Sequence, residues 1–333
     1  MRLHLNENTA GCSPAVIDAL RRLGRSDVGL YPDYETAQQA VAGLFGVPVD
    51  HLLLTNGLDE GILVAAAAAC RDRGEGVPEA VGVAPAFDMY EICTTAIGGR
   101  MITVPLNDRF DLSADDIRAA LTPRTRIVFL TNPHNPSGIT VPRATLRQLA
   151  RDVAPALLFV DEAYADFSGE TMIDAATFAA LPNLLVGRTF SKAYGLAGLR
   201  IGVVAGLPAA LAPLRRIVPP YSLNAWAAAA LPVAIADRAY RDWYLEQAAA
   251  SRALLTEACR RLGLRTWPSA ANFMLVRVGN VAAVVEGLAA RGVRVRDRSA
   301  EAGCAQCIRI TAGLEEDTRR AIAALEEVLC AAR

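Results

Sequence analysis

The sequence has no excess of either charge: across 333 residues, 34 Lys and Arg stand against 35 Asp and Glu, a formal net charge of −1. A nucleic-acid binder normally carries a basic stripe that neutralises phosphates, so no nucleic-acid partner is expected. Long apolar runs are missing too. Although 53% of the residues are hydrophobic, the longest run, 62–70, has nine residues, well short of the roughly 20 that span a bilayer, so no membrane partner is expected. The first eight residues contain no apolar stretch, which predicts no secretory leader and a cytoplasmic location. Histidine is scarce: His4, His51 and His134 lie far apart and show no ligand spacing. The seven cysteines are odd in number and scattered, which excludes a disulfide framework. Cys304 and Cys307 form a lone C-x-x-C without a second pair, so no metal site is expected. No G-x-G-x-x-G follows a strand; Gly195, Gly198 and Gly202 have the wrong spacing, which counts against a nicotinamide dehydrogenase.

What is present is an alternation of short apolar runs with longer Ala-rich stretches, the pattern of an α/β fold. Candidate strands are 52–55, 80–84, 101–104, 126–130, 157–160, 184–187 and 200–205, most of them apolar throughout, as expected when helices cover both faces. Ser113, with Asp116 three residues on, marks a helix start. The stretch 59–70 favours helix, 232–262 is expected to be one long helix or two, and 315–332 carries an amphipathic stripe. Further strands are expected at 273–278 and 307–311. A second α/β unit therefore begins near residue 230.

Four strand-to-loop junctions carry more polar chemistry than a loop requires, and in open α/β sheets ligands sit beyond the carboxyl ends of the strands. Asp161-Glu162-Ala163-Tyr164 follows the apolar run 157–160. Asp161 can be read as a helix cap or as a carboxylate kept for a cation. Thr131-Asn132-Pro133-His134-Asn135-Pro136-Ser137-Gly138 is a rigid non-helical loop that presents the Asn135 amide. In the segment 187–200, the hydroxyls of Thr189 and Ser191 with the Arg200 guanidinium can hold a phosphate, leaving Lys192 free to form a Schiff base. At Thr55-Asn56-Gly57-Leu58-Asp59-Glu60 the backbone N–H groups of Leu58 and Asp59 open a helix, an anion site in its own right.

A Schiff-base lysine, a strand-end carboxylate, a fixed Asn and a phosphate cradle describe a pyridoxal 5′-phosphate site. On those motifs, together with Leu5-Asn6-Glu7-Asn8, Tyr31-Pro32 and Ile308-Arg309-Ile310-Thr311, nearly the whole chain resembles the class I/II aminotransferases of pyridoxal-phosphate fold type I, most nearly the histidinol-phosphate aminotransferases. The resemblance implies a large domain (30–225) with a mainly parallel seven-stranded sheet that binds the cofactor, and a small α/β domain made of 1–29 and 226–333. It implies that Lys192 carries the cofactor and shuttles a proton, and that Asp161 pairs with the pyridine nitrogen. Tyr164 and Asn135 would bond the ring oxygen, and Phe87 would stack on the ring, where a Tyr is more usual. Leu58, Asp59, Thr189, Ser191 and Arg200 would hold the phosphate. Tyr31 would reach the phosphate of a neighbouring subunit, which implies a homodimer with shared active sites.

Arg309 alternates with Ile308 and Ile310 and can be read as a solvated position; by resemblance it binds a substrate carboxylate, or the phosphate end of histidinol phosphate. Arg296 matches an arginine used for the substrate phosphate. Asn8 stands where some histidinol-phosphate enzymes have a Tyr, and is kept as a substrate contact. The implied reaction is ping-pong transamination between histidinol phosphate and 2-oxoglutarate, as in histidine biosynthesis. The alternatives are a phosphothreonine decarboxylase on the same architecture and an aminotransferase for an aromatic or specialised amino acid. A cofactor-sensing transcription regulator would need an N-terminal DNA-binding module, and here the cofactor-domain pattern already begins by Tyr31.

Overall fold

Seven strands build the main sheet of the computed structural model, which describes residues 1–71, 74 and 76–331. They are β1 (Leu52–Asn56), β2 (Glu79–Ala84), β3 (Arg100–Pro105), β4 (Thr125–Thr131), β5 (Leu157–Asp161), β6 (Leu184–Thr189) and β7 (Ile201–Gly206), in the order β1-β7-β6-β5-β4-β2-β3. Only β7 runs against its neighbours. The pairs β2–β3, β2–β4, β4–β5 and β5–β6 are parallel, as the mainly parallel expectation required.

The uninterrupted apolar character of the strands has a direct cause. Alternate side chains enter two different cores, one on each face. On β5, Leu158 and Val160 pack with Val128 and Val186, whereas Phe159 points the other way onto Phe129, Leu185 and Val204. The helix Gly57–Ala69 covers the second face through Leu58, Ile62, Ala65 and Ala66. Strand β7 begins one residue later than the apolar run suggests, because Arg200 has φ 55° and lies in the left-handed region.

A second sheet holds β8 (Arg265–Thr266), β9 (Phe273–Arg277), β10 (Arg296–Asp297) and β11 (Cys307–Thr311), all antiparallel, in the order β10-β11-β9-β8. The helices Arg238–Arg261, Val281–Ala290 and Glu315–Ala331 close its core around Leu255, Val284, Leu288, Ile308, Ile310 and Leu325. Leu3 belongs to this core, and its backbone pairs with Arg294 and Thr311.

The span 232–262 resolves into two helices separated at Asp237, whose carboxylate caps the second by accepting from Tyr240 N–H at 3.2 Å. The first, Ala225–Ala236, is apolar nearly all round and buries Ala227, Leu231 and Ile235 in the core of the large sheet, together with Val16 of the helix Pro14–Arg21. Packing therefore assigns residues 14–21 and 225–236 to the large sheet, although the sequence places most of both segments with the small one. No helix among the described residues is long and apolar enough to cross a membrane.

Glu79 opens β2 with a fully buried side chain that accepts from Thr122 Oγ1 (2.6 Å), Arg124 (2.7 and 3.0 Å) and Arg100 (2.5 Å). Burial pushes its pKa up, but these bonds outweigh it and hold the carboxyl at about 2. The stabilisation is complete above the unfolded pKa of about 4.5 and disappears as pH falls toward 2. Glu79→Gln is expected to cost about 2 kcal/mol at neutral pH and to flatten the loss of stability below pH ~4.5. Urea titrations of both proteins across that range measure it.

Candidate active site

A cavity of about 620 Å³ opens at the carboxyl ends of the parallel strands, where the two sheets meet. Its floor is Asp161, the last residue of β5, 3% exposed. One carboxylate oxygen accepts from Tyr90 O–H at 2.7 Å and the other from Ala163 N–H at 2.9 Å. Tyr90 itself is fixed by Thr131 Oγ1 at 2.7 Å and by stacking on Phe129, with centroids 5.1 Å apart. Burial pushes the Asp161 carboxyl up to about 6, against the lowering pull of Tyr90, Ala163 and Lys192. A cation placed against it would reverse that shift.

The loop after β4 is rigid for a visible reason. His134 bridges Pro85 O and Ser137 Oγ, both at 2.8 Å, and burial drops its pKa to about 4, so it stays neutral. Asn132 closes the loop by donating to Val141 O and accepting from Val141 N–H. Asn135 is thereby held in the cavity wall, where its Oδ1 accepts from Arg309 at 2.5 Å.

At the opposite corner the helix Gly57–Ala69 begins against β7. Gly57 has φ +76°, and a Cβ there would lie 2.5 Å from Arg200 Nη2; a Cβ on Gly202 would lie 2.5 Å from Leu58 N. Both glycines are needed for this approach. Leu58, Asp59, Thr189, Ser191 and Arg200 all line this end of the cavity. Arg200 pairs with Asp59 at 2.6 Å, and Thr189 Oγ1 donates to Ser191 Oγ at 3.0 Å. The helix N-terminus, two hydroxyls and a guanidinium form an anion cradle.

The N-terminal segment crosses over the opening. Asn6, at φ 54°, donates through its amide to Tyr164 Oη at 3.1 Å and through its backbone N–H to Thr311 Oγ1 at 3.1 Å. Just before it in the chain, Leu5 O accepts from Lys192 Nζ and His4 O from Arg309, each at 3.0 Å. Burial lowers the Arg309 pKa to about 10, which leaves it cationic at neutral pH.

The profile of the aminotransferase class I and II family matches residues 1–325. The chain belongs to this family. It is 38% identical to histidinol-phosphate aminotransferase 2 of Ralstonia nicotianae, over 100% of this chain and 89% of that one. It is 36% identical to the histidinol-phosphate aminotransferase of Moorella thermoacetica, over 99% and 85%. Among solved structures, the histidinol-phosphate aminotransferase of Sinorhizobium meliloti in complex with pyridoxal-5′-phosphate superposes with a TM-score of 0.87 at 28% identity, covering 100% of this chain and 91% of that one.

Of the residues singled out from sequence in this aminotransferase, Lys192, Asp161, Tyr164, Phe87, Asn135, Leu58, Asp59, Thr189, Ser191, Arg200, Arg296 and Arg309 line the one cavity. Two do not. Asn8 is buried away from it, donating to Ala193 O at 3.0 Å and accepting from Ala10 N–H at 2.9 Å. Both ends of its amide are used to brace the segment after Lys192, so Asn8 is a scaffold residue rather than a substrate contact. Tyr31 is 78% exposed and stacks on Tyr221, centroids 4.1 Å apart. Tyr90, Thr131, Asn6 and Arg298 were not singled out from sequence. The hydrogen-bond partners of Tyr90, Thr131 and Asn6 lie 41 to 305 residues away, a separation that carries no local pattern.

The raised Asp161 pKa has a measurable consequence. In the ligand-free protein, stability falls as pH rises from about 4 to about 6, because the folded state must give up a proton that it holds more tightly. Asp161→Asn is expected to gain about 2 kcal/mol over the parent above pH ~6 and almost nothing below pH ~4. Thermal unfolding across that range reads the difference.

Proposed function

We propose that the cavity binds pyridoxal 5′-phosphate and that the enzyme moves an amino group from histidinol phosphate to 2-oxoglutarate, in two half-reactions. The observation that carries this reading is the pairing of a buried carboxylate, Asp161, with an amine, Lys192, in a cavity that also contains an anion cradle. The cofactor fits what the residues lack. Asp161 is desolvated, and Lys192 offsets that burial only in part; the cradle offers N–H, O–H and guanidinium donors to a phosphate.

When bound, the cofactor supplies an electron sink for the bond broken at the donor Cα. Asp161 would pair with the ring nitrogen, and Tyr90 and Ala163 N–H keep its carboxylate aimed. Lys192 Nζ would hold the cofactor and serve as the base that moves the proton at the donor Cα. Tyr164 and Asn135 would bond the ring oxygen, and Phe87 would cover the ring. Arg309 would take a carboxylate of the acceptor in its planar fork, or the phosphate end of the donor, and Arg296 would take the donor phosphate.

The division into units follows the packing. Residues 14–236 form the large unit, and 1–5 with 238–331 the small one, with the segment around Asn6 as the strap between them. Val28, Leu30, Tyr31 and Tyr221 leave large apolar side chains exposed at one end of the large unit. This supports a homodimer in which Tyr31 reaches the partner's phosphate cradle.

Protein loaded with the cofactor is expected to show the visible absorption of a lysine-bound carbonyl, and Lys192→Ala to lose it with at least a ~10³-fold fall in turnover. A visible spectrum unchanged in that variant would sink the assignment. Mixing with histidinol phosphate should convert the cofactor to its amine form, whereas carbon dioxide release from phosphothreonine, with no such conversion by histidinol phosphate, would favour decarboxylation. Sedimentation should give a dimer, and Tyr31→Ala should weaken cofactor retention about tenfold; a monomer with full cofactor affinity contradicts the shared site.

A further inference from the structure

Three guanidinium groups gather at the end of the cavity that the second sheet supplies. Arg296 on β10 stands directly opposite Arg309 on β11 in the antiparallel register. Like charges opposed in this way are destabilising, so the free protein carries a local cost that an anion would relieve. Arg298, two residues beyond Arg296, lines the same cavity and is 6% exposed, as is Arg309.

The two buried arginines are not equivalent. Arg309 is committed, through one amino group to Asn135 and through the other to the His4 carbonyl. Arg298 has an ion pair with Glu301 at 2.5 Å; its Nε, like that of Arg309, has no hydrogen-bond partner among the described residues, so the difference lies in the amino groups, which Arg309 commits to two neutral acceptors. Its backbone is pinned. Its N–H donates to Cys307 O at 3.1 Å, its carbonyl accepts from Glu301 N–H at 3.0 Å, and Asp297 holds the turn through Ser299. A buried guanidinium with an unused donor is costly unless a ligand completes it. Glu301 is 24% exposed and can turn toward water. Asp88 is the other carboxylate near this end.

We propose that Arg298 is a specificity-determining residue, which lets the cavity take an amino donor ending in a phosphate monoester, and that Glu301 is the counter-ion such a phosphate displaces. The proposal rests on the amino-donor reading above. A phosphate dianion presents oxygens to Arg298 Nε and to an amino group together, the bidentate geometry a guanidinium favours. With 2-oxoglutarate in the site, which offers single carboxylates in place of a phosphate dianion, Glu301 returns to Arg298 and keeps the buried charge paired.

The test uses the cofactor-loaded enzyme, so that the cofactor's own phosphate cradle is filled. Histidinol phosphate and histidinol are compared as donors. Arg298→Gln is expected to lower kcat/KM for the phosphorylated donor about 30-fold, chiefly through KM, and to change that for histidinol less than about twofold. Equal losses for both donors, or no loss for either, would overturn the proposal. Glu301→Gln keeps the guanidinium and removes its competitor, so KM for the phosphorylated donor should fall while histidinol is unaffected; an unchanged KM overturns the counter-ion role. If the parent enzyme turns over neither donor, the substrate reading fails on its own. Calorimetry with inorganic phosphate then decides Arg298: binding to the parent that disappears in Arg298→Gln supports it, and equal or absent binding in both refutes it.

Discussion

A carboxylate that ends a fully buried parallel strand is the constraint around which the active site is arranged. Asp161 sits where β4, β5 and β6 run side by side, with apolar cores above and below, and water cannot solvate it. Its charge is bearable only because Tyr90 and a backbone N–H share it, and Tyr90 is in turn fixed by Thr131 and Phe129. That support extends to the neighbouring strand and to the helix Met89–Ala96. The same desolvation that destabilises the ionised carboxyl makes it a strong partner for a cation, because Coulomb attraction grows as water is removed. The local cost and the chemical use have one origin.

The second constraint is that the site belongs to neither sheet alone. Arg309 comes from β11 and reaches Asn135 beyond β4, while the carbonyls of His4 and Leu5 accept from Arg309 and Lys192. Lys192 and Arg309 are thus held by neutral acceptors, the Leu5 and His4 carbonyls and the Asn135 amide oxygen. These bonds position the cations without neutralising them, and a substrate or cofactor anion can replace them at modest cost.

How much of this was legible in the sequence follows from the range of each interaction. Strand positions and the junction motifs were legible because they depend on short stretches: an apolar run of buried strand, a Gly where a helix starts, a Pro-flanked loop. Lys192, Asp161, Asn135 and Arg200 were found that way, and all four line the cavity. Tyr90 was not, since a tyrosine early in a helix has no local mark of the carboxylate that it reaches 71 residues away. Asn8 was misplaced for the converse reason. A polar residue beside a motif looks like a ligand contact until its amide is seen to be consumed by Ala193 and Ala10. The helix Ala225–Ala236 was assigned to the wrong unit because uniform hydrophobicity says that a helix is buried, not in which core.

Bulk charge and local charge then have to be kept apart. The chain is almost neutral, yet among the described residues the cavity is lined by six basic and four acidic side chains. Glu7 is spent on Arg2 and Asp59 on Arg200, both at partly exposed positions where such pairs stabilise little. Lys192 lowers the cost of the Asp161 charge, and among the described residues neither hydrogen-bonds to the arginines of the second sheet. What is left over is positive, and it is concentrated on one face of the second sheet, where Arg296 and Arg309 oppose each other in register. A sheet that needed only to fold would not keep two arginines there, since opposing like charges weaken the strand pair that carries them. An anion lying between them would offset the stability surrendered at β10 and β11, which is the contribution a negatively charged substrate group would make at that end of the cavity.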